Sequence, residues 1–264
     1  MSYPTPTLID TILTQWDAGE RVLFGMQSLL NSTRTCELAG RIGFDMVWLE
    51  LEHGTADFEM IETLAMATES GGAVPVARIP DTERHHVLRS LEAGARLVVV
   101  PMIQTADMAR EIVRHGKFPP LGKRGFNTAS RGLRYGLAPI QENFAWANRA
   151  THLIAQIETM EAVDNLDAIL EVDGLSGILV GPGDLSVSLG CTAEFENPLL
   201  HDTVAACMKK AFAAGKHAGI LANADALLKT AQDAGADFIF CFNETVVLRT
   251  QMKERLDLAR NGFA

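Results

Sequence analysis

Two carboxylates carry the first chemical signal in this chain. Glu158 closes the apolar run THLIAQIE and Asp184 closes SGILVGPGD, so each acid follows a stretch rich in Ile, Leu and Val. Such stretches read as buried parallel strands, and these two lie one strand-helix-strand repeat apart. In a closed parallel barrel, side chains at the carboxyl ends of neighbouring strands meet in one mouth. Two carboxylates there hold a hard divalent cation through oxygen. Taken singly, either acid reads as well as a helix N-cap or a surface group. Taken together, with the groups around them, they point to a metal centre.

Other groups with chemical potential sit at the ends of similar runs. VWLELEHG places Glu50, Glu52 and His53 after a second apolar stretch. The ordinary pKa of histidine lies near neutrality, which suits His53 to proton transfer, with Glu50 as its expected orienting partner. The plainer alternative makes Glu50 the cap of the next helix and His53 a loop hydrogen-bonder. Arg78, in PVARIP, ends a third run and needs an anion: a substrate carboxylate or enolate oxygen in its fork, or a neighbouring acid in a structural salt bridge. The turn Gly181, Pro182, Gly183, Asp184, Leu185, Ser186 offers backbone N–H groups beside the proposed cation, and its glycines permit close approach of a ligand carboxylate.

The elements that must position these groups follow a recurring pattern in which a small Gly-containing pair precedes a β-branched run. It appears in GRIGFDMVWLE, AGARLVVVP, DGLSGILVGP and AGADFIFCF. Glycine just past a helix end accepts the left-handed turn into the next strand. Strands are expected at 22–26, 46–51, 74–79, 97–102, 152–157, 177–180, 217–221 and 238–242. Eight strands alternating with helices predict an α/β fold of the (β/α)8 TIM-barrel type, spanning 1–264 as one domain. About fifty residues separate the fourth and fifth strands, and this Gly-rich stretch carries Lys123, Arg124, Arg131 and Arg134 in an otherwise acidic chain. It is expected to cover the mouth, with Ser130, Arg131 and Arg134 as candidates to meet the far end of a substrate.

Bulk properties narrow the partners. A net charge of -10 argues against general affinity for nucleic acid or an anionic membrane. With 47% hydrophobic and 21% charged residues, the 264-residue chain has the composition of an ordinary globular protein. Cys36, Cys191, Cys207 and Cys241 show no CxxC spacing and lie in or beside apolar stretches, the pattern of reduced core thiols. The first ten residues lack a basic segment followed by an apolar one, and no run approaches the roughly 18 apolar residues of a spanning helix. A cytoplasmic location is expected.

At these residues the chain resembles the HpcH/HpaI family of class II, metal-dependent pyruvate aldolases, which act on 4-hydroxy-2-oxoheptanedioate and 2-keto-3-deoxy sugar acids. The strings that carry the resemblance are GFDMVWLELEH, VPMIQTADMAR, FPPLGKRG, QIET and GPGDLS, in that order along nearly the whole chain. The resemblance implies a phosphoenolpyruvate/pyruvate-type barrel and Mg2+, Mn2+ or Co2+ held by Glu158 and Asp184. It implies Gln156 and Arg78 near the pyruvyl group, with His53 in the acid–base apparatus. It also implies a homo-oligomer, a trimer or hexamer, with the helix at 245–261 at the interface. The chain departs from the family where Glu50 replaces an Asp and Leu51 replaces a small residue.

The activity so implied is reversible cleavage of a 4-hydroxy-2-oxo acid into pyruvate and an aldehyde through a stabilised enolate, a step in aromatic or sugar acid catabolism. Oxaloacetate decarboxylation and acyl-CoA lyase chemistry use the same enolate and stay open, as does a non-catalytic ligand-binding barrel. A Schiff-base route is disfavoured, because no Lys falls at the end of an expected strand and Lys123 lies in a loop beside Arg124.

Overall fold

The computed structural model describes residues 6–262; residues 1–5, which open the segment read for a leader, lie outside the described range. Eight parallel strands close into a barrel in chain order: β1 (Leu23–Ser28), β2 (Met46–Glu50), β3 (Val74–Arg78), β4 (Leu97–Val100), β5 (His152–Ile157), β6 (Gly177–Val180), β7 (His217–Leu221) and β8 (Phe238–Asn243), which pairs back onto β1. Every expected strand is present. The fourth stops short at Val100 because Pro101 has no N–H for the ladder and Met102 turns left-handed at φ 54. Gly43, Gly94, Gly174 and Gly235 all take positive φ at the expected helix-to-strand turns.

Apart from Phe24 on the outside of β1, both faces of the strands are largely buried, and the two-residue alternation sorts them. Leu23, Met46, Trp48, Val74, Val76, Leu97, Val99, Ile154, Leu179, Phe238 and Phe240 fill the barrel interior. The intervening residues, among them Val47, Ala77, Val98, Leu153, Ile178 and Ile239, pack outward against the helices. Glycines make room for the interior aromatics. A Cβ on Gly25 would sit 2.4 Å from the Phe240 ring, and one on Gly219 would sit 2.5 Å from both the ring and the carbonyl oxygen of Phe238.

The barrel floor is sealed by a helix that precedes the first strand, Leu8–Asp17. Thr7 and Asp10 form a reciprocal capping box at its start, and Ile9, Ile12, Leu13 and Trp16 recur at helical spacing to join the interior cluster. At the other end of the chain, the helix Glu244–Asn261 buries only Glu244, whose Oε1 accepts from Leu29 N and Leu30 N at 2.6 Å each and from Ser28 Oγ at 3.1 Å. The rest of that helix is exposed. None of the helices in the described residues is long and apolar enough to cross a membrane. All four cysteines are free, and Cys36, Cys191 and Cys207 are buried as expected.

One expectation is overturned. The basic stretch between β4 and β5 descends the outside of the barrel instead of covering its mouth. Arg131 pairs with Glu69 at the end of helix Phe58–Gly71, and Arg134 lies 3.8 Å from Asp10 of the floor helix and stacks over Trp146. Gly132 lies against the backbone of Leu91, and Ser130 donates to Asn127 O. Arg131 and Arg134 are drawn to acids at the amino end of this barrel, so they do not meet a substrate at its other end.

The interior packing predicts unequal costs for two glycine substitutions. Gly219→Ala forces a methyl against backbone and should destabilise by about 1–3 kcal/mol in denaturant unfolding, whereas Gly183→Ala, where a Cβ meets nothing within 4 Å, should be near neutral.

Candidate active site

Inward-facing rows that are apolar through the barrel become polar at the carboxyl ends. In β2 the row Met46, Trp48 continues to Glu50 and then Glu52; in β3 Val74, Val76 leads to Arg78; in β5 Ile154 leads to Gln156 and then Glu158. β1 adds Gln27, whose Oε1 accepts from Asn223 Nδ2 at 3.0 Å and Asn243 Nδ2 at 3.4 Å. Asp184 stands in the first turn of the helix Pro182–Ser188 that follows β6.

Neither Glu50 nor Glu158 is a helix cap. Asp57 caps the helix after β2, accepting from Met60 N at 2.9 Å, and Thr159 caps the helix after β5, accepting from Ala162 N at 3.2 Å. Glu158 is only 2% exposed. Its Oε1 accepts from Met102 N at 2.8 Å, its Oε2 is bonded by Gln156 Nε2, and no Lys, Arg or His among the described residues forms an ion pair with it. Burial pushes its carboxyl above the ordinary 4.5, and the negative charges of Asp184 and Glu52 push in the same direction. Glu52 is also raised, by burial first and then by Glu50 and Asp184, with Arg78 and His53 opposing. Gln156 Oε1 is buried without a partner. The mouth therefore gathers oxygen donors and negative charge without a matching cation, and this donor set fits a hard divalent ion.

Glu50 has the opposite environment, and its expected pairing with the His53 ring is corrected. Its carboxylate meets the Arg78 guanidinium side-on, with Nε at 3.1 and 2.9 Å from its two oxygens and Nη2 at 2.6 Å, and Trp48 Nε1 donates to it at 2.9 Å. From His53 it takes only the backbone N–H, at 3.1 Å. Burial would raise its pKa, but the Arg78 bonds and charge outweigh this and hold it below the ordinary value. The neighbouring-acid partner of Arg78 is thus real, and Glu52 completes it at 3.0 Å. Arg78 Nη1 makes no hydrogen bond to protein among the described residues. The His53 ring is largely exposed, with Glu52 Oε2 3.9 Å from its Nε2.

Other expected site residues divide. Gly183 is exposed at the mouth, Pro182 is buried at the helix start, and Gly181 is needed for packing because a Cβ there would sit 2.7 Å from Glu158 Oε2. Ser186 is a correction: its buried hydroxyl donates to Gly183 O at 2.6 Å and accepts from Ala193 N at 2.9 Å, so it secures the turn and does not face substrate. Leu51 packs between the outer clusters, away from the mouth. Glu52, named from the sequence beside Glu50 but given no role, emerges as a site group, and so does the Met102 amide, which sequence reasoning did not single out. Glu52 was legible as the next inward position after Glu50; nothing in the type of residue 102 marks its amide.

Comparison with known proteins shows the family to which the chain is similar. The pattern of the HpcH/HpaI aldolase/citrate lyase family matches residues 23–240. The chain is 35% identical to the hydroxypyruvate/pyruvate aldolase of Roseobacter denitrificans over 234 residues, covering 89% of this chain and 91% of that one. It is 32% identical to the 2-keto-3-deoxy-L-rhamnonate aldolase of Klebsiella pneumoniae over 234 residues, covering 88% and 87%. Among solved structures, the HpcH/HpaI aldolase from Desulfitobacterium hafniense superposes with a TM-score of 0.87 at 28% identity, covering 94% of this chain and 95% of that one.

The buried, unpaired state of Glu158 predicts a pH-dependent stability change. A carboxyl whose folded pKa is raised favours the fold fully below the unfolded value of 4.5 and loses that contribution as pH rises through the folded value. Glu158→Gln should therefore raise the Tm of the metal-free protein at pH 7, since Gln156 can turn its partnerless Oε1 toward the new amide. The gain should shrink to nothing below about pH 4.5 in thermal scans across pH.

Proposed function

The chain belongs to the HpcH/HpaI aldolase/citrate lyase family and is a metal-dependent class II aldolase, and on that premise we propose that it cleaves a 4-hydroxy-2-oxo acid to pyruvate and an aldehyde, with Glu158 and Asp184 as its metal ligands. The observation that carries the assignment is a buried Glu158 carboxylate with no cationic partner among the described residues, beside a second acid. A divalent cation bound there supplies positive charge against the negative charge that develops on the keto oxygen as the C3–C4 bond breaks. An all-oxygen donor set of this kind accepts Mg2+, Mn2+ or Co2+.

The protein's own groups divide the remaining work. Arg78, fixed by its fork to Glu50, keeps Nη1 for the oxygens of the pyruvyl group, and its orientation is already determined before substrate arrives. Gln156 can present either end of its amide to the same group, and Gly183, exposed in the first turn of the helix after β6, can offer its backbone N–H. His53 removes the proton from the C4 hydroxyl; the electrons of that O–H bond form the aldehyde carbonyl, those of the C3–C4 bond pass to the enolate, and the proton held on His53 is returned, directly or through solvent, to C3 to give pyruvate. Glu52 replaces Glu50 as the acid beside the imidazole. Aldol cleavage is preferred over decarboxylation or acyl-CoA chemistry because the curated relatives are named aldolases.

Assembly into a homo-oligomer, trimeric or hexameric, belongs to the same proposal. Beyond its root, the helix Glu244–Asn261 exposes Val247, Leu248, Met252, Leu256 and Leu258, and the barrel wall exposes Phe24, Leu38 and Ile42. A second copy of the chain would bury both surfaces. A Met252→Asp, Leu256→Asp double variant should shift the mass measured by light scattering toward the monomer; an unchanged mass would remove the helix from the interface.

Exchange of pyruvate C3 protons in D2O, followed by NMR, tests the chemistry without an aldehyde. It should require Mg2+ or Mn2+, vanish with EDTA, and fall at least 100-fold in Asp184→Asn; His53→Ala should impair aldol cleavage while leaving metal affinity within a few-fold of the parent. Exchange that persists in EDTA would overturn the metal assignment.

A further inference from the structure

The floor of the barrel carries a second set of metal-ligating side chains, separate from the mouth. His152 and His217 are the first residues of β5 and β7, and Asp17 ends the helix beneath them. One carboxylate oxygen of Asp17 lies 2.8 Å from His152 Nε2 and 3.2 Å from His217 Nε2, and all three ligand atoms fall within 4.8 Å of one another. We propose that these three side chains form a binding site for a borderline transition-metal cation, Zn2+ or Co2+, that fastens the floor helix to the barrel.

Three features favour a metal over a simple hydrogen-bonded clamp. The donor set is two imidazole nitrogens and one carboxylate oxygen, which suits Zn2+ and Co2+, whereas the mouth offers only oxygen. His217 Nδ1 is 2.6 Å from Asp237 Oδ2, and the other oxygen of Asp237 accepts from Ala218 N at 3.1 Å. This is the carboxylate–histidine arrangement that orients an imidazole for a metal at Nε2; against the effect of burial, Asp17 and Asp237 raise the His217 pKa to about 9, so a metal there would displace the Nε2 proton. Trp16 stacks on the His217 ring at 3.7 Å and fixes its plane. Ligand atoms about 2.0–2.1 Å from a tetrahedral Zn2+ stand roughly 3.3 Å apart, so coordination needs the Asp17 spacings of 2.8 and 3.2 Å to open by only a few tenths of an ångström, and the two imidazole Nε2 atoms, within 4.8 Å of each other, to adjust toward the same separation. His152 Nδ1 has no partner that would resist such a turn, and Asp17 is 43% exposed, which gives an ion a way in and a solvent molecule the fourth position.

The test uses the full-length protein freed of metal and titrated with Co2+, whose visible ligand-field band reports four-coordinate nitrogen ligation. In a Glu158→Gln, Asp184→Asn background one equivalent of Co2+ should still give an intense band, and Zn2+ should displace it and raise the Tm. Asp17→Asn and His217→Gln should each weaken binding by at least 100-fold, and Asp237→Asn by about 10–100-fold. Because Asp17 is part-exposed, its substitution keeps the question answerable if His217→Gln fails to fold, as judged by circular dichroism. Absence of the band in the folded parent, or a band unchanged by Asp17→Asn, would overturn the proposal and leave a proton-bridged clamp. Neither result depends on aldolase activity, so failure here is distinct from failure of the proposed reaction.

Discussion

The two-residue alternation of strands closed into a ring is the constraint from which the rest of this molecule follows. With both faces buried, every second residue must enter a space only a few side chains wide. Apolar residues fill it through the middle, and Phe238 and Phe240 fit only because Gly219 and Gly25 yield them room. Polar residues on the same rows can occur only at the two ends, where water is within reach. Glu50, Arg78, Gln156 and Glu158 stand at one end, His152 and His217 at the other. Backbone periodicity therefore focuses the chemistry into two small volumes.

Within the mouth, electrostatics separates carboxylates that differ little in sequence. Glu50 is compensated by a bidentate guanidinium, an indole N–H and two backbone amides, and it stays ionised at little cost. Glu158, as deeply buried, receives two neutral donors and the repulsion of two acids. One acid is structural and orients an arginine; the other is held in a state that a cation would relieve. Leaving a carboxylate uncompensated costs fold stability, and functional sites are where such a cost is retained.

The barrel was legible because its strands are continuous apolar runs and the Gly turns between them have a mechanism. Glu158, Asp184 and Arg78 were legible because they end those runs. What the local pattern did not reveal were pairings across long separations. The basic stretch around Arg131 and Arg134 has the composition of a lid, and only the acids Glu69 and Asp10, far away in sequence, decide that it runs to the floor. The partner of Glu50 was missed for the opposite reason. His53 is three residues away and Arg78 is 28, yet Glu50 and Arg78 are register partners across β2 and β3, and adjacency in the sheet outweighs adjacency in the chain. Asp17, His152 and His217 lie on three elements that no motif connects.

The seam between β1 and β8 also sets an order in time. Its partners, from Leu23 with Phe238 to Gln27 with Asn243, are separated by more than two hundred residues, and the register shifts between Gly25 and Met26. During synthesis β1 leaves the ribosome with one edge unpaired until more than two hundred further residues have followed. The floor helix waits as well, since the rings that Trp16 packs against belong to β5, β7 and β8. An early strand of the barrel is thus completed by a much later one, and a truncation that removes only β8 leaves β1 with nothing to close against.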